Sequence, residues 1–160
     1  MLTRFVLLTL TVVAVLLNNA TAADSNAEKT RKLIAVLQSN APLFDKARAC
    51  QQLGEFGDAQ AVPALTALLT DEHLSAYARS GLEGIPDPSA ADALRAAVAS
   101  LRGNLLIGVV NSLGVLRDVM AVGLLKKLAE DPASGAANEA LLALGRIANE
   151  EAIACVAKTA

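Results

Sequence analysis

Apolar side chains recur along this chain at intervals of three and four, the spacing that places them on one face of an α-helix. One series of stripes comprises Ala49, Leu53 and Phe56; Leu74, Ala78, Leu82 and Ile85; Leu105, Val109, Leu113 and Leu116; and Ala136, Ala140, Leu144 and Ile147. A second series lies between them: Val62, Leu65 and Leu68; Ala91, Leu94 and Val98; Val122, Leu125 and Leu128; and Ile153 and Val156. No segment alternates with period two over the length of a strand, so the pattern predicts helices and no sheet.

The stripes themselves repeat. Leu53, Leu82, Leu113 and Leu144 are 29, 31 and 31 positions apart, and each is followed by Asp58, Asp87, Asp118 or Asn149 and then a small-apolar pair. A period of this size marks a stacked array, in which no repeat buries its apolar face alone. Each repeat reads as two helices, with the motif Leu ending the second helix and the Asp or Asn opening the first helix of the next. The expected repeats are about 26–57, 58–86, 87–117 and 118–148, with a half-repeat at 149–160.

Asp58, Asp87, Asp118 and Asn149 are good N-cap residues, and Ser25-Asn-Ala-Glu28 is a capping-box pattern that predicts a helix start near Asn26. Pro63 delays the helix after Asp58 to about Ala61, since a proline deeper in the helix forfeits a hydrogen bond. Gly81 and Gly84 carry a helix-propensity cost, which makes 74–86 the expected weak stretch of the array.

The first residues fall outside this scheme. Arg4, the apolar run from Phe5 to Leu17 and the small residues Ala20-Thr-Ala22-Ala23 form a secretory leader pattern over 1–23, with the mature chain starting at Ala23 or Asp24. The run is short for a membrane span, so export to the periplasm or beyond is expected, with no membrane attachment after cleavage. Removing the leader leaves 137 residues, one domain's worth, with 13 basic and 16 acidic side chains and a formal charge of −3. That balance, with only Phe44, Phe56 and Tyr77 as aromatics, argues against a nucleic-acid partner.

The segment Leu-Gly-Glu-Phe-Gly-Asp-Ala-Gln-Ala-Val-Pro-Ala-Leu at 53–65 resembles the HEAT-like repeat first associated with bilin lyases, and 82–94, 113–125 and 144–156 follow it more loosely. The second repeat departs most, with Gly84, Pro86 and Pro88 at its turn. The resemblance implies an all-α, right-handed α-α solenoid of about four helix pairs, with the second helices on the concave side. It implies no activity, because such arrays serve lyases, repair enzymes and adaptors alike. A bilin-lyase role would place the protein where pigment is attached, which an export leader contradicts.

Reactive chemistry is sparse. His73 is the sole imidazole and sits in an expected turn with Asp71 and Glu72, so neither a multi-His metal site nor an imidazole-activated serine is at hand. The pairs Asp71-Glu72, Glu130-Asp131 and Glu150-Glu151 are sequence neighbours, which on a helix point about 100° apart and cannot flank one substrate. Cys50 and Cys155 stand more than three repeats apart, too far for an intramolecular bridge; both read as small buried apolar residues, though a bond between chains through Cys155 stays open. No cofactor, metal or enzymatic activity is expected.

The outward face of the second helices offers a candidate surface for a protein or peptide partner. It comprises Arg48, Gln51 and Glu55; Tyr77 and Ser80; Asn111 and Val115; and Glu139, Leu142 and Arg146. Both charge signs mixed with exposed Tyr, Val and Leu suit a protein partner, while an ordinary solvated helix face is the alternative reading. A further patch is conceivable around Ile107 and Val115, because the helix that carries them is apolar almost all round. The function expected is therefore a non-catalytic, exported binding scaffold; the alternative is the N-terminal part or accessory subunit of a larger secreted enzyme.

Overall fold

The computed structural model describes residues 25–159, so the leader expected over 1–23 lies outside the described residues. Among them there are helices and no strands. Nine α-helices follow one another: α1 over 25–38, α2 Leu43–Phe56, α3 Val62–Thr66, α4 Ser75–Gly84, α5 Pro88–Ala97, α6 Gly103–Val115, α7 Val122–Glu130, α8 Ala137–Ile147 and α9 Glu150–Thr159. The even-numbered helices α2, α4, α6 and α8 form one row, each touching the next, and the odd-numbered helices pack beside them. One continuous core runs the length of this all-α solenoid, from Leu37 through Leu53, Leu82 and Leu113 to Leu144, the last four fully buried.

Local chemistry sets the boundaries. Asp58 Oδ1 accepts from Gln60 N at 2.9 Å, Asp87 Oδ1 from Ser89 N at 2.9 Å, Asp118 Oδ1 from Met120 N at 3.0 Å and Asn149 Oδ1 from Ala152 N at 2.8 Å. Each bond satisfies a backbone donor that a helix start leaves open. After Asp58 and Asp118 the cap holds a 3-10 turn, Ala59–Ala61 and Val119–Ala121, before the α-helix proper. Pro63 thus falls in the first turn of α3, where its missing N–H costs nothing. The helix α1 is already formed at Ser25, the first described residue.

Four expected inward positions differ. Phe56 is half-buried and holds the Lys29 ammonium 5.6 Å from its ring centroid, so it faces the α1–α2 groove. On α5 the buried residue is Ala90 rather than Ala91, and on α6 it is Leu106 rather than Leu105. Ile153 on α9 is exposed, with Ala152 and Cys155 buried in its place. Ala and Leu at adjacent positions leave a stripe's phase open by one residue, and packing decides it.

The helices of the row approach each other by two different means. A Cβ on Gly54 of α2 would lie 3.2 Å from the Gly81 Cα of α4, and one on Gly84 only 2.2 Å from the Gly54 carbonyl oxygen. A Cβ on Gly114 of α6 would lie 2.8 Å from the Ala143 Cα of α8. Small residues therefore let backbone meet backbone at the α2–α4 and α6–α8 junctions. At the junction between α4 and α6 the corresponding residues are Glu83 and Ser112, and those helices approach less closely. Arg79 fills the space: its guanidinium lies on Gly108 and its Nη1 donates to the Gly108 carbonyl at 3.0 Å and to Ser112 Oγ at 3.1 Å. Its Nε is buried and makes no hydrogen bond.

Candidate functional site

The even-numbered helices carry the candidate residues at three recurring positions. Counting from the motif Leu, Arg48, Tyr77 and Glu139 stand five residues before it. Gln51, Ser80, Asn111 and Leu142 stand two before, and Glu55, Val115 and Arg146 two after. One helix row with one repeat length aligns them on one face.

Two groups of these residues are brought together. Arg48, Gln51 and Tyr77 line an open groove of about 380 Å³ between α2 and α4, together with Ala47 and Phe44. Phe44 is 74 % exposed and Tyr77 39 % exposed, so two aromatic rings border the groove on its solvent side. Among the described residues Arg48 has no carboxylate within salt-bridge distance, which leaves its guanidinium to an incoming group. Phe44 was missed because Pro42 and Leu43 open α2 there, and a first-turn residue falls before the repeating part of the motif.

The second group is a polar cluster across α6 and α8. Asn111 Nδ2 donates to Glu139 Oε1 at 2.9 Å, and Arg146 Nη1 reaches the same oxygen at 3.4 Å. Glu139 is thus held by two donors from two helices, and these three side chains are committed to one another. Val115 and Leu142 are exposed apolar residues, Glu55 and Ser80 are exposed polar ones, and none of the four lines the α2–α4 groove. Ile107 is packed against the core, which separates it from exposed Val115.

The other chemistry-bearing residues have local tasks. Asp71 Oδ1 accepts from His73 N at 2.8 Å and Leu74 N at 3.0 Å, shaping the turn that leads into α4. Cys50 and Cys155 are buried thiols, and burial pushes the Cys50 pKa up to about 11, so it stays protonated near neutrality. Among the described residues no three His, Cys, Asp or Glu side chains converge as a metal would need. No helix among them is long and apolar enough to cross a membrane.

The comparisons bear on the architecture. A family model described as the PBS lyase HEAT-like repeat matches residues 46–71. That stretch runs from α2 through the Asp58-capped turn and α3 into the turn before α4. Over these residues the chain is similar to a HEAT-like repeat. No curated protein matches the chain. The matched segment of the HEAT-like array supplies the Gly54 and Asp58 features described above, and it includes Arg48 and Gln51 of the groove.

Proposed function

We propose that this HEAT-like array is an exported, non-catalytic scaffold that holds a peptide segment of another protein against its even-numbered helices. The observation that supports this most is the α2–α4 groove, where Phe44 and Tyr77 expose aromatic rings beside the uncommitted cation of Arg48. Aromatic and Arg side chains tend to dominate interface energetics. An apolar side chain of the peptide sits between the rings, and a neighbouring carboxylate meets Arg48. The α6–α8 cluster extends the same face with polar groups whose positions are fixed by Glu139. The leader pattern over 1–23 supports delivery outside the cytoplasm.

A photo-crosslinking residue placed at Gln51, with a control at Gln60 in the 3-10 turn, tests this in envelope extract. The expected result is one recurrent partner captured at position 51 and not at 60. Binding of that partner falls at least tenfold in Tyr77→Ala and Arg48→Glu, with thermal stability unchanged. A partner indifferent to both substitutions, or no position-dependent capture, overturns the proposal.

A further inference from the structure

The odd-numbered helices leave a gap in the middle of the array. Gly114 lets α6 and α8 meet backbone to backbone, while α5 and α7, their partners in the other row, scarcely touch. The gap is internal, because α5 packs on α3 and α7 on α9. Between the α5–α6 turn and the α7–α8 turn it holds a cavity of about 360 Å³. The floor is aliphatic: Val98 and Leu106 are buried, and Leu124 and Leu128, one helical turn apart on the same face of α7, are half-buried.

Opposite charges stand on the two turns that border this floor, Arg102 on the first and Asp131 on the second. Arg102 Nη1 donates to the Ala99 carbonyl at 3.1 Å and to the Leu101 carbonyl at 2.6 Å, which pins the guanidinium and leaves Nε and Nη2 without an acceptor among the described residues. Asp131 Oδ1 accepts from Ala133 N at 2.9 Å, and its Oδ2 receives no hydrogen bond among them. Neither group is in an ion pair there, with the other or with a third charge. Ser134 fixes the same wall as Asp131: its Oγ donates to the Leu128 carbonyl at 3.2 Å and accepts from Ala136 N at 3.2 Å. Cation, anion and apolar floor are thus held apart and in place.

We infer that this cavity binds a small zwitterion with an apolar body, a free α-amino acid that carries an aliphatic side chain. Its carboxylate accepts from Arg102 Nε and Nη2, a forked and charge-assisted arrangement. The ammonium group donates to Asp131 Oδ2, and the side chain lies on Leu124 and Leu128. A few convergent polar groups above an apolar floor are what a small-molecule site needs. A ligand with one charge leaves one side of the rim unanswered, and an uncharged ligand leaves both. The cavity belongs to the odd-numbered row and the α2–α4 groove to the even-numbered one, so neither proposal depends on the other.

Calorimetric titration of the full chain with free leucine tests this, with glycine, N-acetyl-leucine and leucinamide as controls. Saturable binding of leucine is expected. Each control binds at least about tenfold more weakly, because glycine lacks the apolar body, N-acetyl-leucine the ammonium and leucinamide the carboxylate. Arg102→Gln and Asp131→Asn weaken leucine by a similar factor, and Tyr77→Ala leaves it unchanged. Circular dichroism establishes that the variants stay folded; the Asn side chain keeps an oxygen for Ala133 N. In Asp131→Asn the preference for leucine over N-acetyl-leucine also disappears, which a loss of local structure alone would not produce. Absence of saturable leucine binding, glycine bound as tightly as leucine, or a preference over N-acetyl-leucine that survives Asp131→Asn overturns the inference.

Discussion

Asp87 shows how much one side chain does in this array. Its carboxylate accepts from the Ser89 hydroxyl at 2.5 Å and from the Ser89 backbone at 2.9 Å, and these bonds, the hydroxyl first, hold its pKa below the ordinary 3.8. A folded-state pKa below the unfolded one gives stability that is complete above the unfolded value and lost as pH falls through the folded value. Asp87→Asn should therefore lower the melting temperature at pH 7, with the gap to the parent closing as the pH falls below 3.8. Melting curves of both proteins across that range check it, and a gap independent of pH would contradict it. Such caps were legible in the sequence because Asp or Asn acts on donors two or three residues away. The phase of Ala90 and Ile153 was not, because it is set by neighbours in other helices.

At the scale of elements, the glycines divide into two kinds that composition cannot separate. Gly84 lies against the Gly54 carbonyl, and Gly145 faces open space, yet both sit in even-numbered helices near the motif Leu. Gly84→Ala is expected to destabilise the protein by about 1–3 kcal/mol, the range for overpacking a tight contact. Gly145→Ala is expected to stabilise it by about 0.5–1 kcal/mol through helix propensity alone. Urea denaturation of the two variants measures both, and effects of the same sign would refute the distinction. Read locally, Gly81 and Gly84 mark only a weak helix; the α2 backbone that accounts for them lies about one repeat earlier and leaves no trace in the stripe of α4. The groove was half legible for a similar reason. Repeat register pointed to Arg48, Gln51 and Tyr77, but Phe44 precedes the repeating motif.

At the scale of the whole molecule, four repeats of one pattern do not make three equal junctions between neighbours. The row of even-numbered helices was legible from periodicity, since each stripe needs the next to be covered. The inequality of its junctions was not, because Glu83 and Ser112 look like ordinary surface residues until the helices are set side by side. Pulled from its two ends in an optical trap, the protein should part first between α4 and α6. It would give way there as two stiff blocks, released in one early step that Arg79→Ala brings to lower force and Gly145→Ala leaves alone. A single guanidinium, wedged where its neighbours have interlocking backbones, makes this short rod jointed at its middle.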